Sequence, residues 1–456
     1  MLENIKIKIH GFSNTAILKD LIDEFISPDQ YEIWEDDGFL YDDCIHINKK
    51  ISKDKDEIKR EIFTKLESIT GVRPGWGILT GVRPVKLAGE LLQKFGDEKL
   101  VRSVFIDEYY LSEEKTDLII DTYKRQNSMC GKPAENSAGV YIGIPFCPTR
   151  CIYCSFASNQ VGDDEIQKYI PALLCEIEYV GKGIKENGLE VESLYIGGGT
   201  PTTLTPNQLR EIISAAKKSF NFSKIKEFTV EAGRPDTITE EKLDVLLEEG
   251  VRRISINPQS MKQKTLDLIG RAHSPQDIRN AFGMANSKGF EIINADLIAG
   301  LPEEDMSDFI KTLNEVIEMG ANNITIHTLA VKRASKLKNI DNNYHYTVAE
   351  TVSEMLEAGR KILLREGFVP YYLYRQKHMA GSFENTGYCK GRTQGLYNIR
   401  IMDEHQSIIA LGAGGITKRY YPETDKLVRI PNVTNYKEYI NRIDEMCARK
   451  EKNLWR

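Results

Sequence analysis

The run CPTRCIYC, residues 147–154, sets Cys147, Cys151 and Cys154 in a C-x3-C-x2-C pattern. Three thiols this close read as metal ligands rather than chance core residues, and they are one thiolate short of a closed structural zinc site. A [4Fe-4S] cube held by three thiolates fits that count. One iron keeps an open position, able to take the amino and carboxylate groups of S-adenosylmethionine (SAM). Electron transfer from the reduced cube then breaks a carbon–sulfur bond and yields a 5′-deoxyadenosyl radical. An open zinc site completed by water and a redox-active thiol cluster are the other readings of the spacing. The glycines of GGGTPT, residues 197–202, bear on the choice: without side chains, backbone groups can approach the amino-acid end of SAM, although a glycine run alone often marks a tight turn.

These residues need a frame. From Val140 apolar strands alternate with amphipathic helices, the signature of βαβ units and a parallel sheet. Six strands are predicted: VYIGI (140–144), SLYIG (193–197), EFTVEA (227–232), RRISIN (252–257), IINADLI (292–298) and NITIHTL (323–329). The fold class is α/β, a partial (β/α)6 barrel of the TIM type, whose chemistry sits at the C-terminal ends of the strands. The cysteine loop follows the first strand and Gly197–Gly199 end the second. Glu231 ends the third, Gln259 follows the fourth, and Asp296 and His327 lie late in the fifth and sixth. All fall on one rim.

The remainder reads as attachments. At 456 residues the chain exceeds one ordinary core, so two or three domains are expected. Residues 1–130 are predicted as a small α+β accessory domain and 131–139 as a linker. The barrel occupies 140–335, and 336–456 form a C-terminal α+β extension. GVRP occurs at 71–74 and 81–84; Arg73 and Arg83 are read as two similar turns, with presentation to an anionic ligand as the alternative. No segment approaches the ~20 apolar residues of a membrane span, and the N-terminus lacks a signal-peptide pattern. Eight cysteines are too sparse for a disulfide scaffold, so a reducing, cytoplasmic setting is expected. A formal net charge of −6 gives no electrostatic footprint for nucleic acid.

Across roughly residues 140–420 the chain resembles the radical SAM superfamily, and within it the oxygen-independent coproporphyrinogen III oxidase-like branch. The resemblance rests on YIGIPFCPTRCIYCSF, GGGTPT, SINPQS, DLIAGLP and ALGAGGITK. The N-terminal region together with YYLYRQKHMAGSFENTGY is similar to the HemZ-type subgroup, described as coproporphyrinogen dehydrogenase. The resemblance implies that Cys147, Cys151 and Cys154 ligate the cluster, with Tyr141 and Phe146 beside it and Tyr141 in the catalytic set. Gly198, Gly199 and Thr200 would face the methionine part of SAM, and Glu231, Gln259, Arg271 and Asp296 its polar groups. It implies oxidative decarboxylation of two propionates of coproporphyrinogen III to vinyl groups, giving protoporphyrinogen IX for haem. A flavodoxin or ferredoxin would donate electrons. The alternatives are a radical SAM methyltransferase or haem-degrading enzyme on a tetrapyrrole, or a haem chaperone of the same branch.

Three departures stand out. Gly143 replaces a histidine of many relatives, Phe156 stands where the decarboxylase type has a fourth cysteine, and Glu384 replaces the histidine of the chaperones' HNxxYW motif. His327, His378, His405, Lys332, Arg333 and Arg375 are further candidates for tetrapyrrole contact. Tyr371, Tyr372 and Tyr374 could offer a flat apolar wall.

Overall fold

The six predicted strand segments, each followed by an amphipathic helix in the βα pattern, become six adjacent parallel strands. The computed structural model describes residues 5–10, 16–34, 44–48, 55–156, 158–330, 348–375 and 383–455. A first sheet is built from β1 (Ile5–His10), β2 (Tyr31–Trp34) and β3 (Cys44–Asn48). The barrel strands are β4 (Ser137–Ile144), β5 (Glu190–Gly198), β6 (Glu227–Gly233), β7 (Arg253–Ile256), β8 (Ile292–Ala299) and β9 (Asn323–Thr328). They pair in sequence order, all parallel. β4 begins at Ser137 and so takes in the end of the predicted linker.

Helices cover the outside, and their starts are written locally. Thr205 and Gln208 form a capping box with Pro206 in the first turn, and Ser274 and Asp277 do the same ahead of Pro275. Side-chain oxygens there satisfy amide groups that have no partner within the helix.

The C-terminal residues do more than append a small unit. β10 (Phe368–Arg375), β11 (Glu384–Lys390), β12 (Ser407–Leu411), β13 (Ile416–Tyr421) and β14 (Lys426–Pro431) prolong the barrel sheet at both edges. The order is β10-β11-β9-β8-β7-β6-β5-β4-β12-β13-β14. β12 lies parallel to β4, while β11 runs antiparallel to β9. Helix Leu396–Asp403 crosses the N-terminal ends of the strands: Arg400 pairs with Glu192 of β5 at 2.9 Å, and the Leu396 amide donates to Glu227 at the start of β6. Among the described residues no helix is long and apolar enough to cross a membrane.

The N-terminal region has its own parallel sheet, ordered β2-β1-β3, over a core that includes Ile7, Leu21, Phe63 and Leu66. It meets the barrel at Trp76, which is 1% exposed. The indole Nε1 donates to Glu384 at 2.9 Å, and the Arg375 guanidinium lies 4.5 Å above the ring. Arg375 is also ion-paired with Glu24 at 2.7 Å, both side chains fully buried.

Candidate functional site

Beyond β4 the chain turns through Pro145 and Phe146 into the cysteine loop, which several elements hold. The Arg234 guanidinium after β6 donates to Thr149 Oγ1 at 2.6 Å and is itself fixed by Asp236 at 2.9 Å. The Ile152 amide donates to the Ile269 carbonyl at 3.1 Å, and the Cys147 amide to the Asn159 carbonyl at 3.1 Å. From β5, Gly199 N and Thr200 N donate to the Ile144 and Phe146 carbonyls, each at 2.8 Å. Thr200 Oγ1 lies 3.4 Å from Cys147 Sγ.

Gly199 is required by this close approach: a Cβ there would stand 2.4 Å from Phe146 O and 3.0 Å from Cys147 Sγ. Gly143 also has little room, since its Cβ would meet the Leu411 carbonyl of β12 at 3.2 Å.

The loop opens onto a cavity of about 610 Å³ lined by Cys147, Cys151, Cys154, Tyr141, Gly198, Gly199, Thr200, Glu231, Gln259, Arg271 and Asp296. Eleven of the twelve residues expected at the site therefore line one cavity. The twelfth, Phe146, packs its ring in the core, 5.2 Å from Tyr169 and 5.4 Å from Tyr436; its backbone carbonyl, not its ring, serves the loop.

Three observations test the fit of the cluster and SAM. Burial pushes the Cys147 and Cys154 thiols up, so thiolates there call for a nearby cation. Among the described residues no group of three Cys, His, Asp or Glu side chains is placed to hold a single metal ion. Finally, Gln259 Oε1 and Arg271 Nε are buried without a hydrogen-bond partner, although Arg271 Nη1 reaches the Asn257 carbonyl at 2.7 Å. Polar atoms left unpaired inside a cavity cost stability unless a ligand satisfies them. Gln259 also has φ 65°, a left-handed backbone unusual for a residue with a side chain. The residues fit a cluster with a polar amino-acid ligand.

The carboxylates divide by environment. Burial pushes Glu231 up to about 7 despite hydrogen bonds from Tyr195 OH at 2.6 Å and Gly198 N at 3.3 Å. Burial also acts on Asp296, but His327 Nε2, 3.7 Å away, and Asn294, donating at 2.8 Å, bring it below the usual range. The barrel interior thus offers one carboxyl able to hold a proton near neutrality and one held ionised.

Glu304, after β8, is a third carboxyl of this kind and is half-buried. It accepts from Ser260 Oγ, and burial pushes it up to about 7 from 4.5. Between those values the native state keeps a proton that the unfolded chain has released, so stability falls as pH rises through the window. Glu304→Gln is expected to be near wild type at pH 5 and more stable by about 2–3 kcal/mol at pH 8. Urea unfolding at both pH values reads this, and an unchanged difference would mean that the carboxyl titrates normally.

Aromatic side chains form the other walls. Tyr195 stacks on Tyr397 at 4.5 Å and 22°, and Tyr141 lies 6.1–6.2 Å from both rings. Tyr372 and Tyr374 also line the cavity, nearly parallel at 6.5 Å. Tyr371 does not: it is buried, with its hydroxyl donating to Asn323 at 3.1 Å.

Other candidates sort plainly. His327 lines the cavity, whereas His405 is outside it, 2.9 Å from Asp403. Arg375 is consumed by Glu24 and Trp76, and so is not a cavity cation. Glu384 is buried, accepting from Trp76 and Lys115. Arg73 pairs with Glu67 at the surface, and Phe156 is 66% exposed at the cavity mouth. Lys332, Arg333 and His378 lie outside the described residues. Arg234, Thr149 and the Tyr397 stack were missed by sequence reasoning. Only the position of Arg234 just after a barrel strand could have signalled its part.

Residues 141–316 match the family model of the radical SAM superfamily. Over 407 residues, 88% of this chain and 81% of the other, the sequence is 37% identical to the oxygen-independent coproporphyrinogen-III oxidase-like protein HemZ of Bacillus subtilis (strain 168). It is 29% identical over 308 residues to the heme chaperone HemW of the same organism, covering 67% of this chain and 76% of that one. Among solved structures, coproporphyrinogen III oxidase (HemN) from Escherichia coli superposes with a TM-score of 0.53 at 21% identity, covering 70% of this chain and 72% of the other.

Proposed function

This chain belongs to the radical SAM superfamily and to its oxygen-independent coproporphyrinogen III oxidase-like branch, and we propose that it oxidatively decarboxylates coproporphyrinogen III. The observation that carries the reading is the cavity: a tyrosine-walled interior, suited to a flat apolar ring system, that opens directly onto the cysteine loop. The superfamily's [4Fe-4S] cluster and SAM, when bound, supply a 5′-deoxyadenosyl radical able to take a hydrogen atom from an unactivated carbon. Each propionate that becomes a vinyl group loses one hydrogen atom, one electron and carbon dioxide.

The chain's own residues hold and shield the reactants. Cys147, Cys151 and Cys154 are the proposed cluster ligands, and Arg271 and Gln259 would use their unpaired atoms on the carboxylate and amino groups of SAM. Glu231 and Asp296 suit an ammonium or ribose hydroxyls. The accessory residues 1–130 and the C-terminal residues 336–456 are proposed to keep water and oxygen from the rim. A cytoplasmic flavodoxin or ferredoxin would supply the electron.

The test is anaerobic: reconstituted protein, SAM, dithionite and coproporphyrinogen III, with 5′-deoxyadenosine and tetrapyrroles measured by mass spectrometry. Loss of two carbon dioxide units per porphyrinogen is expected. 5′-Deoxyadenosine beside an unaltered porphyrinogen would refute the substrate; a methylated or linear tetrapyrrole would reassign the reaction. Stoichiometric haem binding without turnover would favour the chaperone reading, against which stands Glu384, buried and ion-paired where that route needs a histidine.

A further inference from the structure

At the end of the cavity away from the cysteine loop the wall changes from apolar to charged. Ile408 and Ala410 of β12 and Ile416 of β13 lead along the lining to Lys418. Lys418 pairs with Ile408, and Ile408 with Gly139 of β4. Ile144, five residues further along β4, pairs with Gly198. Lys418 therefore lies about 16 Å along the strand direction from the glycines beside Cys147. That length is shared by SAM and whatever SAM acts upon.

The ammonium has three donors. One goes to the Ile401 carbonyl at 3.2 Å and one to Glu404 Oε1 at 3.1 Å; the third has no partner among the described residues. Glu404 is not reserved for Lys418. It also accepts from Arg83, brought from the N-terminal region by the second GVRP turn, and from Arg429 of β14 at 3.3 Å. Three cations thus surround one carboxylate, an excess of two positive charges where one member faces the cavity. Burial and the two guanidinium groups pull the Lys418 ammonium below its ordinary range, the direction expected where a further anion is wanted.

We propose that Lys418 is a recognition point for a carboxylate arm of the substrate, while Arg83 and Arg429 satisfy Glu404 and leave the lysine available. The inference rests on the tetrapyrrole reading above and deepens it: the ligand is a polycarboxylate ring molecule with one acid near SAM and another at Lys418. It also gives the N-terminal region a part in substrate recognition through Arg83.

The test is binding of coproporphyrin, an oxidised and fluorescent probe, and of its uncharged tetra-amide to the reconstituted full chain. Lys418→Gln strands no buried charge, because Glu404 keeps both arginines. It is expected to weaken coproporphyrin binding about tenfold, the loss of one charge-assisted contact, with the tetra-amide bound as by wild type and Lys418→Arg restoring most of the affinity. Equal weakening for both probes would reduce Lys418 to packing and overturn the inference, as would unchanged affinity for both. If the wild-type chain binds neither probe, the tetrapyrrole reading falls and takes the inference with it; if it binds and Lys418→Gln is indifferent, the inference alone falls.

Discussion

Gly199→Ala is expected to lower 5′-deoxyadenosine formation by roughly a hundredfold or more, the scale on which a misplacement of about 1 Å acts at a reacting centre. The added methyl group would sit 2.4 Å from Phe146 O, 2.9 Å from its carbonyl carbon and 3.0 Å from Cys147 Sγ. The Phe146 backbone cannot readily retreat. Its carbonyl accepts from Thr200 N, and its ring is wedged between Tyr169 and Tyr436. The displacement therefore falls on Cys147, and reduced iron content should accompany the lost activity. Gly283→Ala is the control, because that glycine is exposed on helix Pro275–Lys288 with nothing within 4 Å of a new Cβ. It should gain about 0.5–1 kcal/mol in helix stability with iron content and SAM cleavage unchanged. A Gly199→Ala protein with full iron and normal cleavage would show that backbone approach at Gly199 does not position the loop.

The frame that holds this glycine was legible because burial on both faces and the βα repeat leave marks in sequence. VYIGI is almost wholly apolar and seven of the eight residues of β4 are buried, whereas RRISIN alternates polar and apolar residues although all four residues of β7 are buried; its place in the βα repeat is what marked it. The cysteine loop announced itself by spacing. What escaped was information carried by partners far away in the chain. β12 has five residues ahead of ALGAGG's glycines, and nothing local says that it pairs with β4 about 270 residues earlier in sequence. Tyr397 reads as one aromatic in a short helix, yet it stacks on Tyr195 of β5. Arg375, a candidate for tetrapyrrole contact, and Glu384 lie in the run that resembles the HemZ-type subgroup, but their charges are spent on Glu24, Lys115 and Trp76. Charge type was readable, whereas the partner that neutralises it was set by how the N-terminal region docks.

The largest expected loss of stability comes from a similar pairing at the other end of the chain. Glu176, in helix Asp163–Glu186, and Lys450, in helix Ile443–Lys450, form an ion pair at 2.6 Å with both side chains 0% exposed. The carboxylate also accepts from Gly412 N at 2.7 Å, Asn432 Nδ2 at 2.8 Å and Tyr439 OH at 2.6 Å. Lys450→Met leaves a buried carboxylate without its counter-charge and is expected to cost about 3–5 kcal/mol, measured by urea unfolding of the full chain. Glu176→Gln should cost at least as much, since it strands the buried Lys450 ammonium and turns an NH2 donor toward groups that all donate to the carboxylate. The consequence reaches the cavity, because Gly412 begins the turn whose Gly414 and Gly415 line it. Lys450→Met should therefore also expose the 412–415 turn to limited proteolysis at denaturant concentrations where wild type resists. A cost below about 1 kcal/mol would mean that the Gly412 amide, Asn432 and Tyr439 suffice for the carboxylate, and that the C-terminal helix is held by its apolar face alone.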